Sequence, residues 1–214
     1  MSSKYLRKQL RRHRATFRRL LQPLRWSIGL FVVALVAYAG YMSENSQTIN
    51  PASYQPLLQL IASAESNGNY NAYYGNVSNS EITFTNMTIQ QVLDWQHAHV
   101  QQGNPSSAVG RYQIINTTLS SLVHTLNLSM DQKFDSVTQD RLAIALIERR
   151  GAKAYANREM SREEFAANLA KEWAALPKTI GDNPDASYYS GDGLNQSRVQ
   201  VAELLGAIQP ITTR

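Results

Sequence analysis

The sequence contains no cysteine, which excludes a disulfide scaffold and any metal site built on thiolates. Acidic residues are absent from residues 1–25, which carry nine basic side chains. The rest of the chain carries twelve basic and sixteen acidic residues, so the net charge of +5 combines a basic tail with a mildly acidic body. Because a nucleic-acid-binding domain needs a basic face, the composition of the body disfavours nucleic acid as a partner.

Charge of either sign is absent from residues 26–43, WSIGLFVVALVAYAGYMS. A helix of this length spans about 27 Å, close to the hydrocarbon thickness of a thin bilayer. Trp26, Tyr38 and Tyr41 lie near its ends, where aromatic rings favour the membrane interface. We therefore predict a transmembrane signal-anchor over 26–43, in a bacterial inner membrane or a virion membrane. The basic tail would be cytoplasmic and the body periplasmic or external.

Two other interpretations of this segment remain open. It could be a buried core helix, or the end of a signal peptide cleaved after Ala39, in the Ala37-Tyr38-Ala39 pattern. Anchor and cleaved signal both deliver the body across a membrane. The tail could bind anionic lipid, at about 1 kcal/mol per cation near the surface, or nucleic-acid phosphates. The tail shows no regular interleaving of aromatic residues with its cations and no nucleic-acid-binding fold motif, which favours lipid.

The body divides into a polar linker, residues 44–54, and a domain over residues 55–214. Apolar spacing and capping residues predict about six helices in this domain. They are Gln55–Ser66, Thr88–Val100, a helix from Asn116, a helix from Asp135 or Ser136 to Gly151, a helix from Ser161 through Trp173 with Pro177 as its stop, and roughly Asn195–Ile208. A short hairpin is predicted within 69–84, with Glu81–Phe84 as a strand, and a long loop over 178–194. Without alternating strands and helices, a parallel sheet is excluded and the class is α+β, mostly helical.

Glu65 is the most informative single residue. It follows Ile61 by four positions and Leu58 by seven, so it continues an apolar stripe to the C-terminal end of its helix. Desolvation and the negative end of the helix dipole would both raise the pKa of such a carboxyl. A carboxyl protonated near neutral pH is suited to general acid catalysis. The alternative is a helix-end glutamate bonded to nearby polar groups.

The remaining ionisable residues carry weaker signals. Glu81 and Asp94 are candidates for a second carboxylate, whereas Asp140 lies in the first turn of its helix and is read as a helix-dipole residue. His97 and His99 would diverge on a helix. The sequence has no HExxH, P-loop, GxSxG or EF-hand pattern, and we predict neither a metal nor a cofactor.

Several separated segments resemble the lambda-type phage endolysins, which are lysozyme-like lytic transglycosylases, and related muramidases. The segments are Ala64-Glu65-Ser66, the run 108–113 (AVGRYQ), Phe134, Gln139-Asp140, the run 149–152 (RRGA) and the run 172–177 (EWAALP). Their order and spacing fit the family from about residue 57 to residue 208. The chain departs from the family in its N-terminal anchor and in the segment between Glu65 and Gly110, so no second carboxylate can be carried over.

The resemblance implies a lysozyme-like α+β fold with Glu65 as the single catalytic carboxyl. It also implies substrate contacts near the site, from Ser66, Gly110, Arg111, Tyr112, Gln113, Tyr188 and Tyr189. Arg111 and Tyr112 could instead be structural, as a loop brace and a core residue, and the two later tyrosines could simply pack in their loop.

The chemistry implied by the resemblance is cleavage of the β-1,4 bond between N-acetylmuramic acid and N-acetylglucosamine in peptidoglycan strands. A transglycosylase needs one carboxylate, which acts first as acid and then as base. A hydrolytic muramidase usually needs a second carboxylate or a positioned water. Other possibilities are a non-catalytic peptidoglycan-binding membrane protein and a membrane protein that tethers nucleic acid through its tail.

Overall fold

The computed structural model describes residues 48–191 and 195–212. The predicted tail 1–25, the predicted span 26–43 and the start of the linker lie outside the described residues. From Ile49 onward the chain forms one compact unit. Its helices are α1 (Gln55–Ser66), α2 (Ile89–Gln101), α3 (Asn116–Thr125), α4 (Ser136–Arg149), α5 (Ala152–Ala156), α6 (Arg162–Ala170) and α7 (Val201–Ile208). Two 3-10 turns occupy Pro51–Tyr54 and Phe84–Asn86. None of the helices in the described ranges is long and apolar enough to cross a bilayer.

The predicted helix boundaries rest on capping residues that the structure contains. Helix α1 ends where Asn67 takes a left-handed conformation at φ 53°, and the Gly68 N–H donates to the Ala62 carbonyl at 3.0 Å. The predicted capping box of α2 is present, because Thr88 and Gln91 each accept the other's backbone N–H. Asp135 accepts the Thr138 N–H at the start of α4, which decides between the two predicted caps.

Helix α4 contributes to the centre of the core, as predicted. Leu142, Ala143, Leu146 and Ile147 are all buried on it. Helix α4 packs against α1 and α3, while α7 packs against both α1 and α6. Burying each large aliphatic side chain stabilises the fold by about 1.5–3 kcal/mol. This packing holds the C-terminal end of α1, and therefore Glu65, within a rigid framework.

The predicted strand Glu81–Phe84 is wrong. The Asn79 side chain accepts the backbone N–H groups of Glu81 and Ile82 at 3.2 and 3.1 Å, which folds this segment into a turn. Phe84 then begins a 3-10 turn and is fully buried. The β-structure of the described residues consists of isolated bridges, among them Tyr73 with Val109 and Val109 with Ile114.

Two helix limits also differ from prediction. Helix α6 ends at Ala170, so Trp173 lies beyond it in a turn, where its indole N–H donates to the Tyr112 carbonyl at 3.2 Å. The last helix begins at Val201 because Glu203 accepts the Gln200 N–H at 2.9 Å and defines the helix start there. The chain before this helix reaches the 173–177 segment, where the Arg198 N–H donates to the Ala175 carbonyl at 2.9 Å. The short helix α5 was not predicted.

Candidate active site

Glu65 lies in the last turn of α1, facing the segment 173–177. Its Oε1 accepts the Ala175 backbone N–H at 3.3 Å. The Arg198 guanidinium donates to the carbonyl of the preceding residue, Ala64, at 3.1 Å. Glu65 retains partial solvent exposure. Two chain segments that are distant in sequence therefore meet at this carboxyl group.

Burial raises the pKa of the Glu65 carboxyl, because desolvation penalises the charged form more than its neighbours stabilise it. The Ala175 hydrogen bond and the positive charge of Arg198 lower the pKa of the same group and partly offset burial. The result is a carboxyl group whose pKa lies above the usual range and which is still partly accessible. Such a group can donate a proton to a bound ligand.

Ser66 fastens the end of α1 to the neighbouring loop. Its side chain is fully buried, and its hydroxyl lies 2.7 Å from the Arg111 carbonyl and 3.1 Å from the Ala62 carbonyl. These contacts are with protein, so Ser66 supports the position of Glu65 rather than offering a surface to a ligand.

The run Gly110 to Gln113 forms a tight turn beside Ser66. Gly110 has a φ of +79°, and a β-carbon at this position would collide with the Gln139 side chain. The Gly110 N–H donates to the Ala72 carbonyl at 2.7 Å. Gln113 closes the turn through its side-chain amide, which donates to the Gly110 carbonyl at 2.9 Å. Glycine is required here both by the backbone conformation and by the close approach.

Gln139 holds this turn from helix α4. Its carbonyl oxygen accepts the Arg111 N–H at 2.8 Å. Its amide nitrogen lies 3.0 Å from the carbonyls of Tyr70 and Phe134. Gln139 is buried with its polar atoms satisfied, so it fixes three chain segments at once.

Asp140 accepts hydrogen bonds from two tyrosines, which differs from the predicted helix-dipole role. The hydroxyls of Tyr70 and Tyr112 donate to Oδ1 at 2.9 and 2.7 Å. Burial, reinforced by the carboxylate of Asp140, raises the pKa of Tyr112. The Arg111 guanidinium lies 4.8 Å from the centre of the Tyr70 ring and donates to Gln59 at 2.7 Å. This network braces the turn that adjoins Glu65.

The other predicted carboxylates lie on exposed positions. Glu81 is exposed in the Asn79 turn, and Asp94 is exposed on α2, where it accepts from Gln90 at 2.8 Å. The cationic side chain whose charge acts on Glu65 is Arg198, and neither Glu81 nor Asp94 acts on its pKa. The structure therefore does not pair either with Glu65.

His99 lies in a pocket lined by aromatic, aliphatic and amide side chains. His99 stacks on Trp95 with ring centres 4.5 Å apart, and burial lowers the His99 pKa. Both residues line a pocket of about 310 Å³ together with Tyr73, Ile82, Ala98, Gln102 and Asn104. Its lining contains no carboxylate that could serve as an acid. In the parts of the chain that the structure describes, no group of three or more His, Asp and Glu side chains could hold a metal ion.

The two loop tyrosines lie near the end of α6. Their side chains are 37% (Tyr188) and 43% (Tyr189) exposed, and the Tyr189 hydroxyl donates to the Lys171 carbonyl at 2.8 Å. The ammonium groups of Lys171 and Lys178 each lie 5.8 Å from the Tyr188 ring centre. Both rings present surface to solvent, but none of these contacts joins them to Glu65.

The segment before Ala175 is tied to α4 by ion pairs. Glu172 accepts from Arg149 at 3.0 Å and from Arg150 at 2.8 Å, and its side chain is only 8% exposed. Sequence reasoning noted the runs 149–152 and 172–177 without predicting this pairing. It missed Arg198 entirely, because no local pattern shows that this residue reaches the end of α1.

The candidate site therefore combines one partly accessible carboxyl of raised pKa, one backbone donor and one nearby cation. The endolysin family model matches residues 55–196, and the chain belongs to this family. Endolysins degrade peptidoglycan, so the chain is a glycan-cleaving, phage-type enzyme of cell-wall degradation.

Among solved structures, the chain is similar to bacteriophage lambda lysozyme complexed with a chitohexasaccharide. The TM-score is 0.47 at 19% sequence identity, and the match covers 78% of this chain and 99% of the lysozyme chain. No curated protein sequence matches the chain significantly.

Proposed function

We propose that this enzyme is a lytic transglycosylase that cleaves the β-1,4 bond between N-acetylmuramic acid and N-acetylglucosamine. The observation that carries the proposal is the Glu65 carboxyl, whose burial raises its pKa while one face of the residue stays accessible. Such a carboxyl can give a proton to a leaving group and take one back from an attacking hydroxyl.

The reaction balances without water or a cofactor. Glu65 protonates the glycosidic oxygen as the bond from C1 of N-acetylmuramic acid to that oxygen breaks. The acetamido group of the same sugar stabilises the positive charge at C1. The Glu65 carboxylate then removes the proton of the 6-hydroxyl, whose oxygen bonds to C1 and gives a 1,6-anhydro end. This second proton transfer leaves Glu65 protonated again and ready for another cycle.

The surroundings of four other acidic residues, all within the described part of the chain, support a mechanism with one carboxylate. Asp140 is engaged by two tyrosine hydroxyls, and Glu172 by two arginines. Glu81 and Asp94 are exposed. A hydrolytic muramidase using paired carboxylates would need a second one facing Glu65 across the scissile bond.

Substrate contacts are proposed for the partly exposed members of the predicted set. Arg111 and Gln113 lie on the turn that adjoins the end of α1 and retain exposure. Tyr188 and Tyr189 offer exposed aromatic surface on which a sugar ring could stack. The buried residues Ser66, Gly110 and Tyr112 would act indirectly, by holding this turn in place.

The membrane anchor also belongs to the proposal. An uncharged segment, 26–43, preceded by nine basic residues would hold the enzyme in the inner membrane or a virion membrane with its N-terminus cytoplasmic. The catalytic domain would then face the wall from the periplasm or outside. In cells expressing the full chain, we expect it to stay in the membrane fraction after alkaline extraction and to be digested by protease added to spheroplasts. Release into the supernatant with loss of residues 1–39 would indicate a cleaved signal instead.

The role of Glu65 is tested by Glu65→Gln in the full-length chain, assayed by release of soluble fragments from purified peptidoglycan. Removing the proposed proton donor should lower kcat at least about 10²-fold, the lower range of acid–base contributions. Glu164→Gln, at an exposed position in the first turn of α6, is the matched control and should digest the wall normally. Unchanged digestion by Glu65→Gln would contradict the mechanism. Absence of digestion by the wild-type chain, with wall binding retained, would favour a non-catalytic binding protein.

A further inference from the structure

Arg198 reaches the site through the backbone of Ala175. The Arg198 N–H donates to the Ala175 carbonyl at 2.9 Å, and the Ala175 N–H donates to Glu65 Oε1 at 3.3 Å. The segment 195–200 therefore runs beside the segment that contacts the carboxyl group. Any displacement of Arg198 would be transmitted through Ala175 to the Glu65 hydrogen bond.

The side chain of Arg198 makes a second connection to the same place. Its Nη1 donates to the Ala64 carbonyl at 3.1 Å, immediately before Glu65 in the last turn of α1. The carbonyls in the last turn of a helix lack partners within the helix, and arginine is a favourable donor to them. This bond holds the positive charge of Arg198 close to the Glu65 carboxyl group.

We propose that Arg198 is a positioning residue for glycan cleavage, holding the backbone at Glu65 and placing a cation beside the carboxylate formed by proton transfer. This inference rests on the proposed role of Glu65 as acid and base. It assigns to Arg198 a function that sequence patterns near Glu65 do not reveal.

The physical need for such a cation follows from the reaction. When the glycosidic oxygen takes the proton, a negative charge appears on a carboxyl group that burial destabilises. The Ala175 N–H and the Arg198 charge are the two groups that favour the charged form of Glu65 and lower its pKa. They therefore stabilise the state that exists between the acid step and the base step.

The other segments near Glu65 contribute a backbone contact and arginines that have partners of their own. On the segment 173–177 the contact is the Ala175 backbone, and Glu172 is engaged by Arg149 and Arg150. On the adjoining turn, the Arg111 guanidinium is held by Gln59 and lies over the Tyr70 ring. Arg198 is thus the cationic side chain that acts on Glu65 from this group of elements.

A purely structural role for Arg198, as a cap of α1, predicts a different set of results. A cap at the helix C-terminus affects the free energy of unfolding without altering the titration of Glu65. The experiment must therefore measure the titration as well as stability and rate.

The test compares Arg198→Gln, Arg198→Lys and the control Lys153→Gln, all in the full-length chain with purified peptidoglycan as substrate. Lys153 is exposed on α5, and its loss changes net charge equally.

For Arg198→Gln we expect kcat about tenfold lower with KM little changed, a part of the 10²–10⁴-fold that a positioned acid contributes. Because the lost cation had lowered the Glu65 pKa, the basic limb of the pH profile should move to higher pH. NMR of the Glu65 carboxyl carbon, without substrate, should show the same shift.

Arg198→Lys should keep the basic limb near that of wild type because it retains the charge, and Lys153→Gln should match wild type in rate and limb. If Arg198→Gln only lowers thermal stability and leaves kcat, the limb and the NMR titration unchanged, the inference is overturned. Should Arg198→Gln not fold, an upward shift of the Glu65 titration in Arg198→Lys would contradict the role of charge. Full activity of Glu65→Gln would instead overturn the proposed function itself.

Discussion

Two carboxyl groups near the same turn, Glu65 and Asp140, have opposite environments. Asp140 accepts two tyrosine hydroxyls, at 2.7 Å from Tyr112 and 2.9 Å from Tyr70, both within the usual range for such bonds. Glu65 accepts a backbone N–H at 3.3 Å, at the C-terminal end of a helix where negative charge is disfavoured. The Asp140 carboxylate is used to hold structure. Glu65 is buried with weaker compensation of its charge, and burial raises the pKa of its carboxyl above the usual value.

The comparison assigns different roles to the two carboxyl groups: Asp140 supports the site, and Glu65 is the group proposed to react. The network of Tyr70, Tyr112 and Asp140 holds the Gly110–Gln113 turn, and Ser66 connects that turn to the end of α1. The Glu65 carboxyl can stay energetically unfavourable in its charged form because rigid neighbours hold it in position. Local instability of this kind is expected at functional sites.

The largest change in stability is expected when the supporting carboxylate is replaced, in Asp140→Asn. The amide keeps one oxygen that can accept both tyrosine hydroxyls, which bond to the same oxygen of Asp140, but it loses the negative charge that strengthens these bonds. We expect the free energy of unfolding to fall by about 1–3 kcal/mol, the typical cost of disturbing buried hydrogen bonds to a charged group. Urea unfolding of the full-length chain measures it.

The exposed Asp131 supplies the matched control, because Asp131→Asn makes the same chemical change outside the network. We expect it to unfold as wild type does. Activity of Asp140→Asn should fall less than that of Glu65→Gln, since the turn is loosened while the acid remains. If Asp140→Asn were as stable as wild type, the network would not be the support described above.

A smaller effect, of opposite sign, is expected for stability when Glu65 is replaced by Gln. The pKa of Glu65 is raised in the folded state, so the folded protein prefers the protonated form more than the unfolded chain does. Stability from this preference is fully present below the unfolded pKa, about 4.3. It is lost as pH rises through the folded pKa.

Glu65→Gln cannot lose a proton and should therefore be more stable than wild type at pH about 8 and nearly equal to it at pH about 4. Urea unfolding of both proteins at the two pH values measures this difference. Glu164→Gln serves again as the control, and its exposed position should give no such pH-dependent gain. A gain for Glu65→Gln that is equal at both pH values would indicate a packing effect rather than an effect of ionisation.

Local signals in the sequence predicted much of the fold. The stripe Leu58, Ile61, Glu65 predicted both helix α1 and the inward position of the carboxyl group, and Thr88 with Gln91 predicted the start of α2. These predictions succeeded because helix period and capping depend on residues within one or two turns. The resemblance to endolysins pointed to the same carboxyl, and the family model over residues 55–196 confirms the family, while the role of Glu65 stays a prediction.

The features that were missed depend on contacts between distant segments. Arg198 lies 134 positions from the Ala64 carbonyl that it binds, and Trp173 lies 61 positions from Tyr112. The alternation in Glu81–Phe84 suggested a strand, but one side chain, Asn79, satisfied the backbone locally and produced a turn. Asp140 was read as a helix-dipole residue because the two tyrosines that bind it come from other segments.

The central claim is that Glu65 performs both proton transfers without a water nucleophile. Digesting purified peptidoglycan in water enriched with heavy oxygen, followed by mass spectrometry of the released fragments, tests it most directly. We predict 1,6-anhydro-N-acetylmuramic acid ends, lighter than hydrolysed ends by one water and free of the heavy isotope. Reducing ends that carry one heavy oxygen would contradict this account and identify a hydrolytic muramidase.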